Sequence, residues 1–358
     1  MEKPNNIRVL ELFAGIGACS KALENLNIKH EIVDAVEIDK YAIKSFNAIH
    51  GTNFEPQDIA TWDKDIECDL IMHGSPCQDF SIAGKQAGGD EGSGTRSSLM
   101  YETLRIVEKL KPKYVIWENV KNLLSKRHVH NWDLYNEKME ELGYVNYCDV
   151  LNAKDFGIPQ NRERVFTVSI KPDGEFLNKS YQVPKPITLT RKLKDFLEEN
   201  VDETYDVSKK QLEGMLKTNY QSYKLSKLLK DKNDVVDTIK ARFTGCPQLV
   251  IRSNNKKGYD VVNEYDTLDI SYPTSTTRRG RVKKGIAGTI TTGNVQCVLD
   301  KKIRKLTPRE CWKLMGFDDV DFDKAAKVNS NSQLYKQAGN SIVVDVLEAI
   351  LKELFRIT

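Results

Sequence analysis

The tightest constraint in this chain is a repeated punctuation: short apolar runs that each stop on residues a buried strand would not hold. Ile7–Phe13 runs into Ala14-Gly15-Ile16-Gly17. Ile32–Val36 stops on Glu37, Asp69–His73 on Gly74-Ser75-Pro76, and Tyr114–Trp117 on Glu118-Asn119. A later run, Arg164–Ile170, follows Gln160-Asn161-Arg162-Glu163. Helical spacing fills the intervals at Cys19–Leu26, Leu99–Leu110 and Trp132–Leu142. Strands alternating with helices predict an α/β fold, a mostly parallel sheet with helices on both faces. In such sheets ligands collect beyond the carboxyl ends of the strands, which is where the unusual residues stand.

The rest of the chain reads differently. Residues 185–303 are rich in Lys, Asn, Ser and Thr and lose the strand–helix rhythm, which predicts a smaller, irregular, partly β second domain. Order returns at Thr307-Pro308-Arg309-Glu310, a capping box with Pro at the first helical position. Val343, Val346, Leu347, Ile350, Leu351 and Leu354 then fall at helical spacing, predicting a final amphipathic helix that packs back on the first domain. The expected division is 1–184 for the catalytic and cofactor-binding unit, 185–329 for the second domain, and 330–358 for the returning helix.

Charge follows this division. Residues 171–303 carry 25 Lys and Arg against 17 Asp and Glu, and the remainder 29 against 34. A basic segment on a neutral-to-acidic body suits a polyanion partner or a solvated lysine-rich surface. Arg278, Arg279, Arg281, Lys283 and Lys284, around Gly280 and Gly285, predict a charged loop or hairpin. Hydrophobic residues make up 40% of the 358 and charged residues 29%, ordinary for a globular protein. No apolar run reaches the roughly 20 residues of a membrane span, and Met1–Arg8 lacks the apolar centre of a signal peptide. A cytoplasmic protein without membrane attachment is expected. Seven cysteines, an odd number at wide spacing with no C-x-x-C pair, argue against a disulfide framework and a structural zinc site.

The strand ends suggest chemistry. Gly15 and Gly17 allow a tight turn and close approach of a ligand. Glu37, 20 residues beyond Gly17, stands where an acid holds ribose hydroxyls. A ribose-bearing cofactor follows, either a nicotinamide dinucleotide or S-adenosylmethionine. Cys77, just past a strand end, is a candidate nucleophile. Glu118 ends the next strand, where partial burial would raise its pKa and suit it to proton donation. If residues 160–164 are extended, Gln160, Arg162 and Arg164 share a face and could bind a carbonyl, carboxylate or phosphate.

Six motifs standing in one order resemble the bacterial and phage DNA cytosine-5 methyltransferases: Gly15-Ile16-Gly17, Pro76-Cys77-Gln78, Glu118-Asn119-Val120, Gln160-Asn161-Arg162-Glu163-Arg164, Arg304–Glu310 and Gly339-Asn340-Ser341. The resemblance covers residues 7–170 and 304–357. It implies a Rossmann-like S-adenosylmethionine-dependent methyltransferase sheet, with the segment from about 185 to 303 as the target-recognition domain. It implies that Cys77 attacks C6 of a flipped cytosine, Glu118 meets N3 and the exocyclic amine, Arg164 binds the base O2, and Arg162 is its partner near the nucleophile. The implied cofactor pocket for S-adenosyl-L-methionine is Phe13, Ala14, Gly15, Gly17, Glu37, Ile38, Asp58, Ile59, Pro76, Leu99, Asn340 and Ser341. Two positions depart from the usual pattern: Ala18 stands where Gly is frequent, and Ala83 where some members carry serine beside the vacated base space. Neither removes a group the reaction needs.

The implied partner is double-stranded DNA, bound by a monomer, with a companion restriction endonuclease encoded nearby as a fitting context. C5 of cytosine is inside the duplex stack, so the base must be extruded at a cost of a few kcal/mol. The glycine-rich stretch 78–98 is expected to be a lid, with Gln78, Ser81, Lys85 and Arg96 as DNA contacts alongside Arg278 and Arg279. Three other readings were weighed: a tRNA cytosine-5 methyltransferase with the same motifs, a silent DNA-binding regulator, which should have lost Cys77 or Glu118, and a dehydrogenase, which should have a third glycine.

Overall fold

The computed structural model describes residues 6–76, 96–173, 181–207, 249–255, 259–272, 275, 281–293, 296–300 and 302–356. Six strands form the main sheet: β1 (Ile7–Leu12), β2 (His30–Val36), β3 (Leu70–His73), β4 (Tyr114–Val120), β5 (Val145–Asn152) and β6 (Glu163–Ile170), in the order β2-β1-β3-β4-β6-β5. The first four are mutually parallel, and β6 runs antiparallel to both β4 and β5. Because β2 lies on one side of β1 and β3 on the other, the crevice between their connections opens above the carboxyl ends of β1 and β3.

Alternation along the strands builds two cores. Val9, Met72, Ile116, Phe166 and Val168 face one side, where they meet Ala22 and Leu23 of α1 (Ala18–Asn25). Leu10, Leu12, Ile71, Val115, Trp117 and Val165 face the other, against Leu104 and Val107 of α3 (Met100–Leu110) and Tyr135 and Met139 of α4 (Val129–Glu141). Side chains of period two on strands covered by helices on both faces require this division. Two elements of this sheet and the helices that cover it are not anticipated from sequence. Helix α2 (Lys40–His50) starts at Asp39, whose side chain accepts from Tyr41 N, and stops at Gly51 with φ +67°. Strand β5 is a half-exposed edge laced with Asn146, Asp149 and Asn152.

The chain returns to this sheet through α5 (Pro308–Lys313), α6 (Asp319–Ala326), α7 (Asn331–Asn340) and α8 (Val344–Phe355). The capping box forms as expected: Glu310 N donates to Thr307 Oγ1 at 3.1 Å, and Thr307 N to Glu310 Oε2 at 2.8 Å. Helix α8 buries Val344, Val346, Leu347, Ile350, Leu351 and Leu354 and packs on α1. At about 1.5–3 kcal/mol for each side chain, that stripe alone accounts for the docking. The return begins upstream of the expected boundary at 330. Leu306, Cys311, Trp312 and Phe322 already share the core of Val9 and Met72, and buried Lys21 of α1 pairs with Asp318 (3.0 Å) and Asp321 (2.8 Å) of the α6 start.

Between these parts lie a two-stranded sheet, β7 (Leu249–Arg252) with β8 (Tyr259–Val262), and a four-stranded antiparallel sheet. The latter orders β10 (Val282–Lys283), β9 (Thr267–Asp269), β11 (Gln296–Asp300) and β12 (Lys302–Lys305). Ile251, Val262, Leu268, Cys297, Leu299 and Ile303 form its core. The charged-turn expectation is corrected for Arg281. That residue is buried, and its guanidinium donates to the carbonyls of Asp269, Ser271 and Tyr272. Lys284 is held by Asp266 at 2.8 Å.

Candidate active site

The turn after β1 is built on left-handed backbone: Phe13, Gly15 and Gly17 have φ of +53°, +57° and +80°. Ala14 N donates to Val36 O at 3.1 Å, so the turn is anchored to the end of β2. Glu37 completes it. Its Oε2 accepts from Gly15 N at 3.0 Å and its Oε1 from Asp39 N at 2.8 Å. Burial raises the Glu37 pKa above the usual carboxylate range, against the opposing pull of those two N–H groups and Lys336. Each oxygen keeps a lone pair for a hydroxyl. Gln57 N donates to Glu37 O at 2.9 Å, which sets exposed Asp58 beside it and buries Ile59 beneath. Ile38 is 69% exposed, an apolar side chain presented next to the carboxylate.

Helix α7 reaches the same crevice. Lys336 Nζ lies 2.6 Å from Asp39 Oδ2, and Gln337 Nε2 donates to Tyr41 O at 2.9 Å. Asn340, at the last position of α7, is exposed, and Ser341 caps the helix with its N–H on Gln337 O. Pro76 and Leu99 are half-buried at the ends of the segment joining β3 to α3. A Cβ on Gly15 would meet only Phe13 O, at 4.0 Å, so the turn is open there to a ligand. An open glycine turn, a ribose-competent carboxylate and an exposed aliphatic side chain fit a nucleoside-bearing cofactor.

One β-strand along, β3 delivers Gly74-Ser75-Pro76 beside the end of β4. Glu118 is 9% exposed there, and its Oε2 lies 3.6 Å from where a Cβ on Gly74 would sit. Burial raises its pKa, while Arg164 and Arg162 oppose the rise. Arg164 Nε lies 3.0 Å from Glu118 Oε1 in an ion pair too bent to be a hydrogen bond, so that oxygen accepts none among the described residues. A buried, partly neutralised carboxyl of this kind can donate a proton and can stabilise positive charge on a bound ring.

The two arginines of the Gln160–Arg164 motif divide. Residues 160–162 are not extended, because Arg162 N donates to Gln160 O at 3.1 Å in a three-residue turn. The expectation of one shared face is therefore corrected. Gln160 is fully buried: its Nε2 donates to Leu314 O at 2.7 Å, and its Oε1 accepts from Ile290 N at 3.0 Å. Arg162 Nη1 donates to Ile290 O (2.9 Å), and Nη2 to Gly339 O (3.1 Å) and Ser341 O (2.8 Å). Its guanidinium thus ties Ile290 and the Asn340 turn to the start of β6, while Arg164 makes the 3.0 Å ion pair with Glu118.

A family model for C-5 cytosine-specific DNA methylase matches residues 7–356. This chain belongs to the C-5 cytosine-specific DNA methylase family. Curated relatives align over almost the whole length. Type II methyltransferase M2.ScrFI of Lactococcus lactis subsp. cremoris is 35% identical over 98% of this chain and 99% of its own. Type II methyltransferase M.HhaI of Haemophilus parahaemolyticus is 34% identical over 96% and 93%, and orphan methyltransferase M.SPRI of Bacillus phage SPR 32% over 97% of each. Two solved structures share the fold. A putative DNA modification methyltransferase encoded within an E. coli prophage covers 98% of this chain and 99% of its own, at 20% identity and TM-score 0.62. The S. pombe Dnmt2 methyltransferase covers 98% of each chain at 19% identity and TM-score 0.57.

As a DNA cytosine-5 methylase, this protein is a methyl transferase acting on DNA. Cys77, Gln78, Ser81, Lys85, Arg278 and Arg279 lie outside the described residues, as does most of the expected lid; Arg96 opens a 3-10 turn, Arg96–Leu99, ahead of α3. Sequence reasoning overlooked His50, whose Nε2 lies 3.3 Å from Ile16 O under the glycine turn. It also overlooked Gly339, where a Cβ would fall 2.3 Å from Thr292 N, so the Thr291-Thr292 backbone touches the backbone of α7. No local signal marks either, since each partner is more than 30 residues away. Among the described residues no cluster of His, Cys, Asp and Glu could hold a metal ion, and no helix is long and apolar enough to cross a membrane.

Proposed function

We propose that this methylase modifies C5 of a cytosine flipped out of a specific duplex sequence, through a covalent bond between Cys77 Sγ and C6 of the base. The observation that carries the reading is Glu118: a buried carboxyl of raised pKa, paired with Arg164 and set against the Gly74-Ser75-Pro76 segment that leads into Cys77. Protonated Glu118 donates to N3 as the thiolate adds to C6. The electron pair so placed makes C5 nucleophilic. Arg164 binds the base O2, and Arg162 holds the surrounding turns. Loss of the C5 proton and expulsion of Cys77 then restore the aromatic ring. S-adenosylmethionine, when bound, supplies the methyl group at C5. Phe13, Ala14, Gly15, Gly17, Glu37, Ile38, Asp58, Ile59, Pro76, Leu99, Asn340 and Ser341 are proposed to hold it, with Glu37 on the ribose hydroxyls and Ile38 on the adenine face.

The second domain, with Arg278 and Arg279, is proposed to meet the duplex. Neutralising both should weaken DNA binding and flatten its dependence on salt. The names of the type II relatives support a modification role beside an endonuclease encoded nearby. Two measurements test the reading. Methyl transfer to duplex DNA and to tRNA, run in parallel, should favour duplex DNA; preference for tRNA would overturn the substrate assignment. Calorimetry should show binding of S-adenosylhomocysteine and none of NAD, and the reverse would overturn the cofactor.

A further inference from the structure

The end of β4 carries three consecutive residues, Trp117-Glu118-Asn119, whose directions alternate as strand side chains must. Glu118 is the acid. Its two neighbours, on the opposite face, both reach Ser75, which precedes Cys77 by two residues. Trp117 Nε1 donates to Ser75 Oγ at 3.0 Å. Asn119 Nδ2 lies 3.3 Å from both Ser75 O and Ser75 Oγ, and Asn119 Oδ1 accepts from Val120 N at 2.8 Å. Ser75, Trp117 and Asn119 are 3%, 2% and 1% exposed.

The indole cannot relax away from this contact. The His73 ring stacks on it at 5.7 Å with an interplanar angle of 7°, and the Tyr135 ring lies 4.2 Å away. His73 Nε2 and Tyr135 OH, 3.0 Å apart, satisfy each other behind it. A buried indole N–H shut off from water has Ser75 Oγ as its acceptor, and a buried donor is costly to leave unmet. Ser75 is therefore fixed in place. Pro76 then restricts its own φ and the backbone of Ser75, so little rotational freedom remains before Cys77. An apolar side chain would fill the Trp117 site equally well; the N–H adds a defined position for the chain that precedes the nucleophile.

We propose that Trp117 is a positioning residue for the nucleophile, acting through its hydrogen bond to Ser75, two residues upstream of Cys77 in the chain. The proposal rests on Cys77 being the nucleophile. Misplacement on the scale of a lost bond lowers the rate of attack far more than it lowers binding.

The test compares Trp117→Phe, which keeps a buried ring without the N–H, with Ser75→Ala, the double variant, and Ser75→Thr, which keeps the hydroxyl. Single-turnover methyl transfer and adduct formation with 5-fluorocytosine duplex are measured at saturating DNA and cofactor, and S-adenosylhomocysteine binding is measured by calorimetry. Trp117→Phe and Ser75→Ala should each slow both reactions by about tenfold, with ligand binding within about twofold of wild type. The Trp117→Phe/Ser75→Ala double should be no slower than the worse of these two, and Ser75→Thr should keep most of the wild-type rate. Trp117→Phe or Ser75→Ala at the wild-type rate, Ser75→Thr as slow as Ser75→Ala, or a double whose losses multiply, would overturn the clamp. Should Trp117→Phe fail to fold, Ser75→Ala and Ser75→Thr decide alone, since neither alters the ring cluster. A wild-type enzyme that forms no adduct overturns the nucleophile reading, and the clamp with it.

Discussion

Gly17 is a position where a single methyl group should disturb the turn that follows β1. It has φ +80° and ψ +44°, and an added Cβ would lie 2.1 Å from His50 Nε2, 2.7 Å from His50 Cδ2 and 2.9 Å from Phe46 Cε2. Two costs add. A non-glycine residue in left-handed backbone costs about 1–2 kcal/mol. Overpacking adds about 1–3 kcal/mol, because His50 has nowhere to go: its ring is tilted against Phe46 at 4.7 Å, and its Nε2 meets Ile16 O. Gly17→Ala should therefore lose roughly 2–5 kcal/mol in urea unfolding, and weaken S-adenosylhomocysteine binding by calorimetry.

Gly15 supplies the control. Its φ is similar, +57°, but the nearest atom to an added Cβ is Phe13 O at 4.0 Å. Gly15→Ala should cost only the backbone part, about 1–2 kcal/mol. In the Gly17→Ala/His50→Ala double variant the clash with His50 is gone and only the 2.9 Å approach to Phe46 Cε2 remains, so the losses should fall short of additivity by about 1–3 kcal/mol. Equal losses for the two glycines, or strict additivity with His50→Ala, would refute the steric account.

Cys77→Ala should form no adduct with cognate DNA carrying 5-fluorocytosine, whereas the parent traps one because fluorine cannot leave as a proton does; denaturing gel electrophoresis reads the outcome. Glu118→Gln should lower methyl transfer by on the order of a hundredfold or more. Because burial raises the Glu118 pKa, the acid form persists to higher pH than usual, and parental activity should fall as pH rises through that raised value. A pH–rate profile of Glu118→Gln should lack that limb. Burial also lifts Glu11, under the glycine turn, from 4.5 to about 7. Between those values the unfolded chain is ionised while the folded one keeps its proton, so wild-type stability falls as pH rises across that window and levels off above it. Glu11→Gln should escape this loss and gain on the parent by on the order of 2–3 kcal/mol between pH 4.5 and 7 in thermal unfolding. A constant difference across that range would show that the carboxyl titrates normally.

What the sequence revealed follows from what is local. Strands β1, β3 and β4 are buried on both faces, so their apolar runs stand out, and as adjacent parallel strands they bring the glycine turn, Ser75 and Glu118 to one edge of the sheet. Strand β5 hides because it is an edge, where only Leu151 and Asn152 of its eight residues are buried and no apolar run stands out. Helix α2 was legible in principle from Asp39 and Gly51, the cap and the stop. The cations were the harder problem. Arg281, Arg162 and Arg304 look like surface charge in a one-dimensional reading, yet each is buried. Arg304 forks onto Glu310 with two bonds of 2.8 Å, and Arg162 finds its carbonyls 128 to 179 residues away. No periodicity encodes such partners; Arg281 is the one of the three inside residues 171–303, and its burial means the excess charge of that segment overstates what faces a nucleic acid.

The antiparallel direction of β6, unforeseen in the expectation of a mostly parallel sheet, is what makes the acid site possible. Ligand crevices in parallel sheets open at the carboxyl ends of strands, and Glu118 stands at such an end. A parallel β6 would present Ile170 there and carry Arg164 to the far edge, about 20 Å away at 3.3 Å per residue. Reversal brings the amino end of β6 to the crevice and pairs Arg164 with Val120 and Phe166 with Glu118 across the ladder. Arg164 then lies two pairs beyond Glu118, on the same face, and closes on it at 3.0 Å. Arg162 sits just outside the ladder, where Asn152 Oδ1 accepts its N–H at 3.0 Å and the chain can turn toward Ile290 and Ser341. Two like residues, two positions apart, thus take unlike tasks, because one is inside the last strand and the other is in the turn that enters it.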